Sequence, residues 1–292
     1  MRQILSIIKN LRTGDFRILT SVELGMRNHL YVPFPTVVSI SNYTKEDVKF
    51  FLSRVLKYNL LDERKGQIPS YKLNERGYDC LALNVLIKAD IIEGFGNKLG
   101  VGKEADVYDV LLANSKERAA LKLHRAGKTS FHHLKRYRLY VADKRHLTWL
   151  YASRLAAERE YEALKILYEG GLQVPRPIFH NRHVIVMSFI DGVLLAEIIN
   201  LKKPEKLLNK ILDFIYISYM DYNIIHSDLS EFNIMLTDEK NFLIFDFPQW
   251  ISNEHPQYIY YLKRDIINIL NFFSRKFKIK TNPNEIFEKF GI

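Results

Sequence analysis

Apolar residues recur with two different periods along this chain, and the change of period divides it. Over residues 1–90 the helical period dominates. Val48, Phe51, Leu52, Val55 and Leu56 form one stripe at spacings of three and four. Thr44 stands before them as an N-cap, and Glu46 and Asp47 suit the positive end of the helix dipole. Leu60 and Leu61, a polar turn over 62–66 and a short strand around 71–73 predict a hairpin. Asn74 then caps a further helix carrying Tyr78, Leu81, Ala82, Val85 and Leu86. Upstream, residues 15–25 and the Pro33/Pro35 loop are expected to separate weaker helical segments. From Ile91 short β-rich runs take over, at 107–112, 119–123, 184–189 and 242–245. The strongest helical pattern covers about 146–169, and two closing helices are expected over about 256–275 and 283–290.

Helix, helix, hairpin, helix in residues 1–90 is the pattern of a winged helix-turn-helix, which docks nucleic acid or protein; the alternative is a plain helical cap. The fold class expected is α+β: a winged helix-turn-helix domain over 1–90, then a second domain of short strands and helices over 91–292.

Bulk composition narrows the class. The 292 residues are 47% hydrophobic and 13% aromatic, which argues against long disorder. The single cysteine, Cys80, excludes a disulfide framework and a cysteine-based zinc site and suits a reducing compartment; on an apolar helix face it is expected to be buried and inert. The start has too short an apolar core for a signal peptide, and no run reaches the roughly 18 apolar residues of a membrane span. A cytoplasmic, non-membrane protein is expected, as a monomer. The net charge of +10 points to an anionic partner or to a well-solvated surface, and composition does not choose between them.

Three motifs carry chemistry. Gly100 and Gly102 in Leu-Gly-Val-Gly-Lys-Glu-Ala-Asp-Val-Tyr (99–108) suit a tight turn whose N–H groups approach phosphate oxygens, although a lone Gly-x-Gly is more often an ordinary hairpin. Lys122 alternates with apolar neighbours on a strand, so it points either to solvent or into a cleft. In a cleft it would bind phosphates and pair with a helix carboxylate; Glu160 is the natural partner, since Glu158 lies roughly 200° away around the helix. The third motif is the specific one: His226-Ser227-Asp228, Asn233 five residues after Asp228, and Asp246 closing a short apolar strand. Phosphoryl transfer needs a carboxylate to accept a proton, and an amide oxygen and a second carboxylate to hold a divalent cation.

These segments resemble the Rio-type atypical protein kinases, in particular the type-two subfamily that carries an N-terminal winged helix. The resemblance is carried by 100–108, 121–131, 145–164, 174–187, 226–236 and the Phe-Asp-Phe-Pro-Gln-Trp of 245–250, and covers nearly the whole chain. It implies a reduced two-lobed kinase-like domain over 91–292, with a smaller lobe over about 91–187, a hinge over 188–192 and a larger lobe over 193–292, and ATP bound with Mg²⁺, or Mn²⁺ in its place. Gly100, Gly102, Lys103, Glu104, Lys122, Glu160, Met187, Ser188 and Ile190 then line the nucleotide site, Met187 as gatekeeper and 188–190 at the adenine. Asp228 is implied as the catalytic aspartate, with Asn233 and Asp246 as metal ligands. The family's metal-binding aspartate is also proposed to be transiently phosphorylated, which would make the protein an ATPase-like switch. Ala105, Ser227 and Ser230 depart from the family's usual serine, glycine and asparagine.

Only 46 residues follow Asp246, too few for an activation loop and a peptide platform, so a restricted substrate, autophosphorylation or hydrolysis coupled to binding is expected. Residues 122–145 hold eight basic side chains and one acidic, with His and Tyr between them, and residues 1–90 hold 14 basic against 9 acidic. Basic residues mixed with rings suit RNA, and with the resemblance they imply a small-ribosomal-subunit precursor or its rRNA as partner, held by the 122–145 loop and the winged helix. Thr129 and Ser130 are candidate autophosphorylation sites. Two other functions fit less well: a small-molecule phosphotransferase resembling aminoglycoside or choline kinases, and an rRNA-binding assembly factor regulated by nucleotide. His180 and His183 read as flanks of a hairpin turn, and Trp149 and Tyr151 as packing residues.

Overall fold

Capping decides where several helices of the N-terminal part begin. The computed structural model describes residues 1–101, 104–125, 149–238 and 241–292. It opens with α1 (Arg2–Asn10) and α2 (Thr13–Gly25). Residues 15–25 are therefore helix rather than the interruption the sequence suggests. Asp15 accepts the Arg12 N–H at 2.7 Å and closes a capping box, while Arg54 binds both its oxygens. That long-range pair is invisible in the local pattern.

Strand β1 (Val32–Pro33) runs into α3 (Phe34–Ser41), whose first turn accommodates Pro35 because no intrahelical N–H is needed there. Helix α4 (Lys45–Lys57) starts where Thr44 Oγ1 accepts the Asp47 N–H at 3.1 Å, and α5 (Glu75–Lys88) where Asn74 Oδ1 accepts that of Gly77 at 3.1 Å. Between them β2 (Leu61–Arg64) and β3 (Ser70–Leu73) form the wing, and the sheet order is β1-β3-β2. Gly77 is required by space: a Cβ there would sit 2.2 Å from the Leu60 carbonyl oxygen. The core contains Ile18, Val22, Val37, Val48, Leu52 and Leu83, with Cys80 buried among them on α5.

The rest begins with a five-stranded sheet of order β4-β5-β6-β8-β7: β4 (Ile92–Val101), β5 (Ala105–Leu112), β6 (Arg118–His124), β7 (Pro177–Asn181) and β8 (Val184–Ser188). The β5–β6, β6–β8 and β7–β8 pairings are antiparallel. Helix α6 (Trp149–Glu169) precedes β7. Residues 146–148 of its expected start lie outside the described residues. The β7–β8 turn places Arg182 at φ +55, between His180 and His183.

Strand β9 (Val193–Leu194) and a single 3₁₀ turn (Leu195–Glu197) lead to α7 (Pro204–Met220), β10 (Ile234–Leu236), β11 (Phe242–Ile244), α8 (Tyr258–Phe277) and α9 (Pro283–Phe290). Ile211, Phe214, Ile234, Ile244, Ile266 and Phe273 belong to one buried cluster spanning these elements. No described helix is long and apolar enough to cross a membrane.

By contacts, residues Met1–Gly94 and Leu112–Lys116, with Arg125 and 149–153, make one compact unit. Phe95–Leu111, Glu117–His124 and Arg154–Ile292 make the other, apart from the undescribed positions. Within the first unit, Arg125 grips Asp79 of α5 bidentately at 2.7 and 2.9 Å and lies 3.2 Å from Glu75.

Candidate active site

Strand alternation turns Lys122 inward. It sits in mid-β6, opposite Val107 of β5 and Ile185 of β8, with only 8% of its side chain exposed. A buried ammonium requires partners, and Nζ has three short contacts: 2.7 and 2.6 Å to the two oxygens of Glu160 on α6, and 2.6 Å to Asp246 Oδ1. Burial pulls the Lys122 ammonium toward neutrality, but Asp246 and Glu160 outweigh it and hold its pKa above the ordinary lysine value. Burial likewise pushes the Glu160 and Asp246 carboxyls up, while Lys122 draws both below the usual carboxylate range. All three groups are therefore charged at neutral pH.

Glu160 has a second neighbour that sequence reasoning missed. His124 lies two residues beyond Lys122 on the same strand, and its Nε2 is 3.0 Å from Glu160 Oε2. The rule that finds it is simple: residues i and i+2 of a strand share a face. Trp250, quoted only as part of a motif, donates its indole N–H to the Arg159 carbonyl at 2.8 Å, and the Arg159 guanidinium lies over its ring. The segment after Asp246 is thus tied to α6 one residue before Glu160.

Asp246 stands at φ +74, a left-handed conformation uncommon for a residue with a side chain. It is held there from its neighbours. The Phe245 N–H donates to the Asn233 carbonyl at 3.0 Å, and His226 Nε2 donates to the Phe245 carbonyl at 3.1 Å. The His226 ring packs on Phe247 at 4.5 Å, and burial holds its pKa below the ordinary histidine value, so the ring is neutral. Ser230 Oγ donates to Asn233 Oδ1 at 2.9 Å and sets the amide's orientation.

Asp228 is 65% exposed. Helix α8 fixes the backbone on both sides of it: Asp265 accepts the N–H groups of Ser227 at 2.7 Å and Leu229 at 3.0 Å, Asn268 donates to the Leu229 carbonyl at 3.0 Å, and Arg264 donates to the Ser227 carbonyl. Arg264 Nη2 also lies 3.7 Å from Asp228 Oδ1. Burial pushes the Asp265 carboxyl up to about 7, against the two N–H groups that favour its charged form. Ser227 adopts φ +61, which gives glycine at this position a physical reason. Its hydroxyl donates to the Gln249 carbonyl.

The remaining candidates are more dispersed. Met187 is buried at the end of β8; the Ser188 N–H donates to the Arg176 carbonyl and its hydroxyl accepts the Arg176 N–H, both at 2.9 Å, and Ile190 follows half-buried. Gly100 lies within β4 without a positive φ and with open space where a Cβ would stand, so its own backbone does not demand glycine. Glu104 precedes β5. Gly102, Lys103, Thr129, Ser130 and the 122–145 segment beyond Arg125 lie outside the described residues.

Among the described residues no group of three or more His, Cys, Asp or Glu forms a protein metal cage. The donors present, one carboxylate and one amide oxygen, suit Mg²⁺, which keeps waters and takes further oxygens from a substrate's phosphates. A buried ammonium beside them suits those same phosphates.

Comparisons with known proteins cover both parts of the chain. A family model described as "RIO domain" matches residues 106–286, and one described as "Rio2, N-terminal" matches 8–89. The chain is 41% identical over 273 residues to the RIO-type serine/threonine-protein kinase Rio2 of Methanocaldococcus jannaschii, covering 90% of this chain and 98% of that one. It is 39% identical over 270 residues to the serine/threonine-protein kinase rio2 of Dictyostelium discoideum, covering 92% of this chain but only 51% of that protein. A crystal structure of the Rio2 kinase–ADP/Mg²⁺–phosphoaspartate complex from Chaetomium thermophilum superposes with a TM-score of 0.82 at 31% identity, covering 96% of this chain and 87% of that one.

Proposed function

Because the chain belongs to the RIO family of serine/threonine-protein kinases, in its Rio2 branch, we propose that it binds ATP with Mg²⁺ and transfers the terminal phosphoryl group. The observation that carries this reading is the three-way contact of Lys122 with Glu160 and Asp246. It holds a fixed positive charge next to a carboxylate that Asn233's neighbourhood also positions. Lys122 binds phosphate oxygens, Glu160 keeps Lys122 in place, and Asp228 accepts the proton of the attacking hydroxyl or water. Asn233 and Asp246 hold Mg²⁺, which when bound neutralises charge on the phosphates. Gly100, Gly102, Lys103 and Glu104 cover the nucleotide, and Met187 to Ile190 border its base. The nucleotide, metal and phosphoaspartate named for the Chaetomium structure support this reading and a phosphorylated aspartate as an intermediate state.

Turnover of Mg-ATP by the wild-type chain, lost in Asp228→Ala and Asp246→Asn, is the expected result. Activity surviving in both variants would exclude these roles.

The biological task proposed is maturation of the small ribosomal subunit, with autophosphorylation, through rRNA contacts of the winged helix and the basic 122–145 segment. The +10 net charge and the winged-helix pattern support it. Crosslinking to cellular RNA with and without ATP tests it: nucleotide-dependent contacts to small-subunit rRNA are expected, and their absence would overturn this task.

A further inference from the structure

Glu160 accepts two bonds from Lys122, and a third polar group waits beside it. The His124 Nε2 lies 3.0 Å from Glu160 Oε2, within hydrogen-bond reach of it. Nε2 is buried with no other partner among the described residues, and the two side chains are 3% and 1% exposed. The backbone of His124 cannot drift away, because its N–H donates to the His183 carbonyl at 2.8 Å and its register partner is Ala105 on β5. A donor buried in such a place needs an acceptor in reach, and the Glu160 carboxylate is that acceptor.

We propose that His124 is a positioning residue, a reserve donor that takes over the Glu160 carboxylate when Lys122 turns from it toward nucleotide phosphates. The inference rests on the reading that ATP binds at Lys122. Lys122 cannot serve two carboxylates and a triphosphate with equal geometry, because an ammonium has three protons. When one of its bonds moves to phosphate, a Glu160 lone pair is freed in a dry site. The His124 N–H is the group in place to fill it, so Glu160 stays turned inward and keeps its remaining bond to Lys122. In the absence of His124 the freed carboxylate oxygen would have to swing or draw in water, and Lys122 would be less well held at the phosphates.

The test uses the full-length chain with His124→Leu, His124→Gln and Glu160→Gln, and the His124→Leu/Glu160→Gln double variant. For Mg-ATP, His124→Leu is expected to raise KM about tenfold more than it alters kcat, and His124→Gln, which keeps an N–H donor, to restore most of that loss. In the Glu160→Gln background the His124→Leu change is expected to add less than about twofold, since its route of action is already cut. Equal losses in both backgrounds, or a Gln variant as impaired as the Leu variant, would overturn the inference while wild-type turnover still stood. A wild-type chain that neither binds nor turns over Mg-ATP would overturn it together with the proposed function.

A second readout needs no activity. In ring-¹⁵N spectra of the histidine-labelled protein, His124 Nε2 is expected to carry the proton and to shift in Glu160→Gln and on adding Mg-ADP. An unprotonated Nε2, or one indifferent to both changes, would refute the assignment even if His124→Leu failed to fold.

Discussion

At the scale of single residues, Lys122 owes its place to two carboxylates and returns the favour to neither equally. Glu160 is almost wholly buried, whereas the Asp246 side chain is 42% exposed, so the Glu160 contact is the one that water cannot replace. Removing one partner of a buried pair costs about 3 kcal/mol. Glu160→Gln should therefore lower Tm by roughly 6–12 °C, as differential scanning calorimetry would show, and should weaken ATP binding as well. An unchanged Tm would mean that Asp246 alone suffices. The set proposed to handle phosphate, Lys122, Asp228, Asn233 and Asp246, can be picked out in the sequence because phosphoryl transfer would demand those residue types at near-fixed spacing. Asp265 is not. It lies 38 and 36 residues from the backbone groups it anchors, and in sequence it is one more polar position on an amphipathic helix.

At the scale of elements, α8 acts on the loop around Asp228 from one helical face, with Arg264, Asp265 and Asn268 set one and four residues apart. Asp265→Ala removes two backbone anchors while touching no reacting group. A displacement of about 1 Å costs on the order of a hundredfold in rate, so kcat should fall by that order, and Tm should fall too because two buried N–H groups lose their acceptor. Asp265 also gives the fold a pH dependence. Its carboxyl is raised from 3.8 to about 7 by burial, so the folded state holds a proton that the unfolded chain has released. The resulting stability is present below about 4 and is lost as pH rises toward and through 7. Denaturant unfolding from pH 4 to 8 should show this decline in the wild type and a flatter profile in Asp265→Asn; parallel profiles would contradict the assignment. The elements least legible in sequence fail for local reasons. Strand β4 contains three glycines, which suppress its β signal, and α2 is closed at its start by Asp15, whose Arg54 partner is 39 residues away. By contrast α4 and α5 carry their caps in sequence, and their starts are read directly from Thr44 and Asn74.

At the scale of the whole molecule, charge and packing predict different things. If the basic segment and the winged helix grip RNA, affinity should fall about a thousandfold between 50 and 200 mM salt, because several phosphates are neutralised at once. A salt-insensitive complex would point to a protein partner instead. Packing predicts where the first unit is brittle: Gly77→Ala would drive a methyl group into the Leu60 carbonyl, and Asp79→Ala would take the bidentate carboxylate from the buried Arg125, each costing about 2–4 kcal/mol. Thermal melts of the two variants measure this directly. Cys80, next to Asp79 on α5, gives the same unit a built-in clock. It is the chain's only thiol, and burial with Asp79 beside it pushes its pKa up to about 12, so the folded protein offers a thiol reagent almost no thiolate. Labelling must wait for α5 to open. Its rate at fixed pH therefore reports the free energy of that opening, and does so for one half of the molecule without any engineered probe.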